Sequence, residues 1–425
     1  MPKPFTILLG KAVRHAAVLR GGGSALPGLF VEKIDSTFVP RTLAKLPRGV
    51  VLVSGTNGKT TTTKMVVELL ESQGLKVFTN RTGSNFIRGV AAALLGAVDV
   101  KGNFDADIAV LELDEAHAVK FVDIVKPNYS LLLNVMRDQL DRFGEIDATA
   151  NMLRIIGRET TEAVIINRED SRLAPLAKEF EDKKVAFFGL DQSLRSQFPN
   201  DDELRSRDQK KALTIPPSAS VVLKTLKENR ATFTLDSVDH SVELKLKGVY
   251  NIYNAAAALC LVREIIGSSL DEAALLASLS DVQPAFGRGE QLIVDGQPLE
   301  LVLVKNPAGF RLSLSSFPPK GYSTMIAIND NYADGRDMSW LWDVDFDSLQ
   351  EGGVQAVTGI RAADMALRLQ YDEIAIDLVE ESIEKCLKQF LQSHKDQPKR
   401  IFCSYTTMLA IRKQLRKITD VEVIS

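Results

Sequence analysis

Residues 50–63 read VVLVSGTNGKTTTT, and the way this stretch is parsed decides the fold. Val50 to Val53 form an apolar run of strand length. Ser54-Gly55-Thr56-Asn57-Gly58 is a tight turn, and Lys59 and Thr60 open a helix whose apolar side holds Met65, Val66, Leu69 and Leu70. Gly74 falls where a C-terminal cap belongs. A strand, a glycine turn and a helix start make an anion site, because bare backbone N–H groups and the positive helix end face a phosphate and glycine lets the backbone come close. Lys59 is positioned for the terminal phosphates of a nucleotide and the Thr60 hydroxyl for Mg²⁺. The usual spacing puts a further glycine five residues before Gly58, where this chain has Val53, so the turn is shorter and Gly55 is its other glycine. Gly55, Thr56, Asn57, Gly58, Lys59, Thr60 and Thr61 are therefore the expected contacts to ATP. The plainer alternative is a left-handed structural turn; the lysine and the run of threonines weigh against it.

The chain has 425 residues, enough for two or three domains with cores of their own. With 52 basic and 55 acidic residues the net charge is −3, so no overall basic field speaks for nucleic acid. The longest purely apolar runs, such as Ala91–Leu95, are far below the roughly 18 residues of a membrane span, and no signal-peptide pattern is expected at Met1. A cytoplasmic protein is expected. Cys260, Cys386 and Cys403 are scattered, with no CxxC spacing, and read as reduced core thiols rather than zinc ligands.

Outward from the opening stretch, strand-like and helix-like segments alternate. Lys76–Asn80, Asp107–Leu113, Tyr129–Val135, Ala163–Asn167 and Lys184–Gly189 read as buried strands. This alternation predicts an α/β fold with a doubly wound, mainly parallel sheet, with ligands at the C-terminal strand edge. Arg81 and Thr82 follow one such strand end and are candidate substrate contacts. Leu190–Pro217 is charged and serine-rich and reads as an insertion; Ala231–Leu235 and Ser241–Gly248 alternate and predict a small antiparallel unit. Ser269 and Glu272 have capping-box spacing for a helix. Beyond Gln291 the alternation resumes, which predicts a smaller Rossmann-like domain. The expected division is a short N-terminal segment at 1–48, a central ATP-binding domain at 49–290 and a C-terminal domain at 291–425. Within the first segment, Gly21–Gly28 is either a linker or a loop around a phosphate.

Magnesium bound to ATP needs hard oxygen ligands, and Glu112 at a strand end is the candidate carboxylate, with Asp114 and Glu115 behind it. His117 reads as structural. Asp138 and Asp141 with Arg137 and Arg142 form either a surface ion-pair cluster or part of the site. Asn251 and Asn254 lie on one face of a helix start, where they either cap or read adenine.

Several of these motifs together resemble the Mur ligase superfamily, ATP-dependent amide-forming enzymes of peptidoglycan and folate synthesis. The carriers are GTNGKTTT at 55–62, NVMRDQLDRFG at 134–144, GVYNIYN at 248–254 and FGRGE at 286–290. The resemblance implies that Asn251, Asn254 and Arg288 bind ATP, that Arg288 also neutralises the transferring phosphoryl group, and that Asn134 orients substrate. GGGSALPG at 21–28, VKNPAGF at 304–310 and NDNYADGRDMSWLWDVD at 329–345 are closest to the MurT branch of that superfamily. Members of the branch are synthetase subunits that amidate the D-glutamate α-carboxylate of the lipid II stem peptide with ammonia from a GatD-like glutaminase. Peripheral contact with the inner face of the membrane would follow. The last motif holds Asp330, Asp334, Asp337, Asp343 and Asp345 and the only two tryptophans. The branch implies that one aspartate, Asp337 first and Asp334 second, completes the glutaminase triad in trans. Three departures stand out: no cysteine zinc ribbon at 190–248, Gln139 in place of a second-motif histidine, and no lysine near 151–155 for carbamylation. The alternative is a stand-alone Mur or folylpolyglutamate-type amino-acid ligase.

Overall fold

A computed structural model describes residues 4–19, 26–80, 86–138, 146–198, 217–227, 229–246, 248–283, 288–317 and 319–421. Arg81 and Thr82, residues 139–145 with Gln139, Asp141 and Arg142, and the glycine run at 21–23 lie outside the described residues, as do the side chains of Arg288 and Gly289.

The first sheet has nine strands among the described residues: β1 (Val50–Ser54), β2 (Val77–Thr79), β3 (Ile108–Glu112), β4 (Tyr129–Leu132), β5 (Ala163–Asn167), β6 (Lys184–Leu190), β7 (Val221–Lys227), β8 (Arg230–Leu235) and β9 (Val238–Glu243). Their order across the sheet is β2-β3-β1-β4-β5-β6-β7-β8-β9. Pairings from β2 to β7 are parallel, and β7–β8 and β8–β9 are antiparallel. The internal strand β1, between β3 and β4, is buried along its whole length, which is why it reads as a continuous apolar run rather than an alternation. Its two faces feed two cores. Val51 and Val53 face the helices Lys59–Ser72 and Val249–Ile266, and Val50 and Leu52 face Ile87–Ala97 and its neighbours. Ala255 to Ala258 are fully buried, and these small side chains let Val249–Ile266 lie close along Lys59–Ser72. Val249–Ser269 is the one stretch among the described residues long and apolar enough to cross a membrane, and it is the buried centre of this domain.

The second sheet has six strands among the described residues: β10 (Arg288–Val294), β11 (Gln297–Leu303), β12 (Ser323–Ala327), β13 (Ala356–Thr358), β14 (Val379–Glu380) and β15 (Lys399–Cys403), in the order β10-β11-β15-β12-β13-β14. Only β10–β11 is antiparallel. The expected doubly wound sheet with a small antiparallel part, followed by a smaller Rossmann-like unit, is what the chain forms. In detail the antiparallel part gains β7, and the second unit gains β10, β14 and the helices Pro307–Ser316 and Ile383–Gln392.

Two local expectations are corrected. Leu26–Gly28 is not a phosphate loop but the start of the helix Leu26–Ile34, and a Cβ on Gly28 would lie 1.8 Å from the Arg88 carbonyl oxygen. Gly28 is there so that this helix can press against Ile87–Ala97. The capping box at Ser269 does not form either. Asp271 caps the helix Glu272–Asp281 by accepting from the Ala274 N–H at 3.0 Å, while the Ser269 hydroxyl donates to the Ile266 carbonyl.

Inside the second sheet, two guanidinium nitrogens of Arg400 donate to Glu300 Oε2 at 2.8 and 2.6 Å, and Tyr322 stacks 3.7 Å from the guanidinium. Both charged residues are almost fully buried. Removing one partner of such a pair costs about 3 kcal/mol, because the other is left charged in a low-dielectric interior. Glu300→Ala is therefore expected to lower the unfolding free energy of the C-terminal domain by about that amount, read as a lower urea midpoint at unchanged slope. Fluorescence reads this domain alone, since Trp340 and Trp342 are the only tryptophans.

Candidate active site

The turn after β1 is built on two left-handed glycines. Gly58 has φ +87°, and a Cβ there would come 2.6 Å from Asn254 Nδ2; Gly55 has φ +135°, and a Cβ there would come 3.0 Å from the Asn134 backbone nitrogen. The helix Lys59–Ser72 starts directly after Gly58, with no side chain capping it. Its first N–H groups are thus left for a ligand.

Side chains around the turn hold its shape. The Asn57 N–H donates to Asn134 Oδ1 at 2.9 Å, and Asn134 Nδ2 donates back to the Asn57 carbonyl at 3.0 Å. The Met136 N–H donates to Thr56 Oγ1, and that hydroxyl donates to the Met136 carbonyl. Asn134, expected at the substrate, spends its amide on the phosphate turn. The stretch after β4 is held in turn by Asp170, which accepts from the Val135 N–H at 2.6 Å and from the Arg172 and Leu173 N–H groups. Burial pushes the Asp170 carboxyl up to about 6, against those three hydrogen bonds.

Lys59 is only 7% exposed. Its ammonium donates to the carbonyls of Gly55 and Thr56 and lies 3.5 Å from Glu115 Oε2. Thr60 Oγ1 donates to Glu112 Oε1 at 2.9 Å. Asn80, at the end of β2, brackets the Glu112 backbone with hydrogen bonds in both directions, at 2.9 and 3.0 Å. Thr60 and Glu112, singled out for Mg²⁺, are thus adjacent, and a hydroxyl beside a carboxylate is the hard-oxygen pair that such an ion needs alongside nucleotide phosphates and water. The Thr61 hydroxyl is buried without a hydrogen-bond partner. Asn254 is buried against Gly58, and Asn251 is half-buried one turn earlier on the same helix. His117 stacks edge-on against Phe86, with ring centroids 4.2 Å apart, and lies 3.7 Å from Asp114.

The second domain enters this site. Lys305 Nζ donates to Asp138 Oδ2 at 2.9 Å, and Asn306 Nδ2 lies 3.2 Å from both Asp138 Oδ1 and Asn57 Oδ1. Burial works to raise the Asp138 carboxyl, but the Lys305 charge and hydrogen bond, with Lys59 behind them, hold it below the usual range. The pair therefore stabilises the folded state above that range and loses its effect as the pH falls through the depressed value. Asp138 is not part of a surface cluster; it is a tie between domains.

Residues 53–262 match the model of the Mur ligase middle domain, and residues 303–408 match the MurT ligase C-terminal model. The MurT subunit of lipid II isoglutaminyl synthase (glutamine-hydrolyzing) from Streptococcus pneumoniae is 30% identical, across 96% of this chain and 96% of that one. The chain belongs to the MurT family. Among solved structures, a pseudomurein peptide ligase type C from Methanothermus fervidus shares the fold with a TM-score of 0.68 at 17% identity, covering 88% of this chain and 79% of that one. MurF ligase from Thermotoga maritima, in complex with ADP, has a TM-score of 0.65 at 19% identity, covering 90% and 84%. As a MurT-family member the chain is a ligase with a Mur ligase-type role in peptidoglycan synthesis.

In this MurT-family chain the acidic segment separates its aspartates. Asp334 is 4% exposed and fully engaged, accepting from the Thr406 N–H at 2.7 Å, the Thr406 hydroxyl at 2.5 Å and the Asn331 N–H at 3.2 Å. Asp330 pairs with Arg361 at 2.7 Å. Asp337 is half-exposed and accepts from the Ser339 N–H at 2.9 Å. Trp340 is buried, and Trp342 is half out, under Arg368 and against Tyr371.

Lys305, Asn306, Glu115 as the partner of Lys59, and Asp170 escaped assignment from the sequence. VKNPAGF contains the first two; its place over the phosphate turn is a matter of tertiary structure. Gly58→Ala is expected to weaken binding of a fluorescent ATP analogue at least tenfold while circular dichroism stays unchanged, because the left-handed turn and the Asn254 contact both exclude a methyl group. Unchanged affinity would remove this turn from the nucleotide site.

Proposed function

We propose that this protein is the synthetase subunit that amidates the D-glutamate α-carboxylate of the lipid II stem peptide to D-isoglutamine. It uses ATP and takes ammonia from a GatD-like glutaminase partner. The observation that carries this reading is the juxtaposition of two features in one chain. One is a phosphate turn with Lys59 and the Thr60–Glu112 pair; the other is an acidic segment with a half-exposed Asp337. The Streptococcus pneumoniae relative is named as a subunit, which supports a partner, and the Thermotoga maritima neighbour in complex with ADP supports use of a nucleotide.

A carboxylate is a poor acyl donor. In the first step one of its oxygens attacks the γ-phosphorus of ATP, the bond to the β–γ bridging oxygen breaks, and ADP leaves. Ammonia then attacks the acyl carbon, phosphate departs with the C–O electron pair, and the nitrogen gives up a proton. The protein's share is positioning and charge neutralisation. Bare N–H groups after Gly58 cradle the phosphates, Lys59 leaves Glu115 for their negative charge, and Asn254 and Asn251 flank the nucleotide. Arg288 is assigned to the transferring phosphoryl group. Thr60 and Glu112 would hold Mg²⁺, which when bound offsets phosphate charge. A small neutral nucleophile needs no carboxylate-binding pocket of its own, unlike an amino acid.

Between the two aspartates, Asp337 is the one with carboxylate surface to offer a histidine of the glutaminase; Asp334 is consumed by Thr406 and Asn331. The test uses purified protein with its glutaminase, lipid II, ATP and either ammonium chloride or glutamine. ADP release and conversion of carboxylate to carboxamide are followed by mass spectrometry. Both nitrogen sources should support product. Asp337→Asn should abolish the glutamine-dependent reaction and leave the ammonia-dependent one; equal loss of both would overturn the Asp337 assignment. Turnover with a free amino acid only would favour the amino-acid ligase instead.

A further inference from the structure

The contact between the C-terminal domain and the phosphate turn has a polar and an apolar half. Asn306 is completely buried and does two jobs. Its Oδ1 accepts from the Gly309 N–H at 2.7 Å, capping the helix Pro307–Ser316, and its Nδ2 reaches across to Asn57 and Asp138, each at 3.2 Å. Lys305, the residue before it, closes on Asp138 at 2.9 Å. A Cβ on Gly309 would lie 2.9 Å from Asn306 Oδ1 and 3.7 Å from Asn57 Oδ1, so the helix start is kept bare where it meets the turn. Beside this, Ala308 and Leu312 pack on Met136, with Tyr250 against them, in a cluster separate from either domain's core.

Asn57 is the residue this network touches inside the turn, one position before Gly58. Both ends of its backbone amide are already fixed by Asn134, so its side chain is what remains for the other domain to hold. We propose that Lys305 and Asn306 are positioning residues for phosphoryl transfer: through Asp138 and Asn57 they latch the C-terminal domain onto the phosphate turn and so set the distance between nucleotide and acyl acceptor. This deepens the proposed function and rests on it for the identity of the reaction. The latch is polar, buried and small. It is therefore sensitive to geometry and weak enough in total to open and admit substrates, since a charge-assisted hydrogen bond contributes about 1.5–3 kcal/mol net.

The variants are Lys305→Ala, Lys305→Arg, Asn306→Asp, Asp138→Asn and the double Lys305→Ala/Asp138→Asn, all in the full chain. Asn306→Asp keeps the helix cap, since Asp caps as well as Asn, but replaces a shared donor with an anion facing Asp138 and Asn57 Oδ1. Ammonia-dependent amidation of lipid II should lose at least tenfold in kcat in Lys305→Ala, Asn306→Asp and Asp138→Asn. KM for ATP should stay within threefold, and circular dichroism at the assay temperature should match that of the wild type. The double variant should lose no more than the worse single one, and Lys305→Arg should recover most of the rate. Wild-type kcat in these variants, or a loss carried wholly by KM for ATP, would overturn the proposal. Small-angle scattering gives a readout that needs no reaction. The double variant should have a measurably larger radius of gyration than the wild type, and identical radii would overturn the latch. Should the wild type amidate nothing while the scattering difference holds, it is the functional reading that fails and not the latch.

Discussion

The ammonium of Lys59 sits almost out of reach of water, and much of the surrounding architecture exists to make that tolerable. A charge so placed is stable only if it is paired and hydrogen-bonded. Two carbonyl oxygens come from the turn itself, which must curl back far enough for Gly55 and Thr56 to present them. That curl needs positive φ at Gly55 and Gly58. The carboxylate comes from Glu115, at the first position of a helix that Asp114 caps just beyond β3. Strand order then follows from the same requirement: β1 must lie next to both β3, which delivers Glu112 and Glu115, and β4, whose exit carries Asn134 and Met136 onto the turn. In the proposed reaction, phosphate oxygens would take the place of these carbonyls and this carboxylate around Lys59 without exposing it.

How much of this was visible in the residues alone depends on the range of the interaction. β1, its turn and the helix behind it are local, and their parse survives intact, down to β1 beginning at Val50 and the helix at Lys59. The pairing of Thr60 with Glu112 was also legible, since parallel-sheet logic places successive strand ends on one edge. β7 was hidden because it adjoins the charged stretch that reads as an insertion. β10 was hidden because it begins inside FGRGE, whose motif character outweighed its strand pattern, and β14 is two residues long. Ser269 lost the cap to Asp271 because the two offer the same chemistry two positions apart, and periodicity does not resolve that.

The site residues that escaped share a different property. Asp170, Asn306 and Lys305 act on backbone or side chains 35 to 249 positions away. Nothing in their immediate neighbours announces such a partner. Asn134 illustrates the converse. Its motif is expected at a substrate, and in the structure its amide is bonded to Asn57. An asparagine can do either, and only the distance between β1 and β4 decides it. Gly28 is similar: a glycine cluster suggests a phosphate loop, while 1.8 Å to a neighbouring carbonyl shows that helix packing is what excludes a side chain there.

The helix Tyr405–Leu415 brings the two ends of the C-terminal domain together. At its start, the Thr406 N–H and hydroxyl bind Asp334; nearer its end, Arg412 pairs with Glu290, two residues beyond Arg288. The acidic segment and the strand that begins at Arg288 are thus tied to one rod, and Asp334 is the residue given up to make the first tie. That explains why two aspartates three positions apart differ so much in exposure. A carboxylate that accepts three hydrogen bonds holds the segment in place, and a neighbour with a single short-range bond to Ser339 keeps carboxylate surface exposed. On the proposed reading an acidic run of this length needs both, since an unanchored segment would not hold Asp337 in register for a glutaminase, and a fully anchored one would leave it nothing to present.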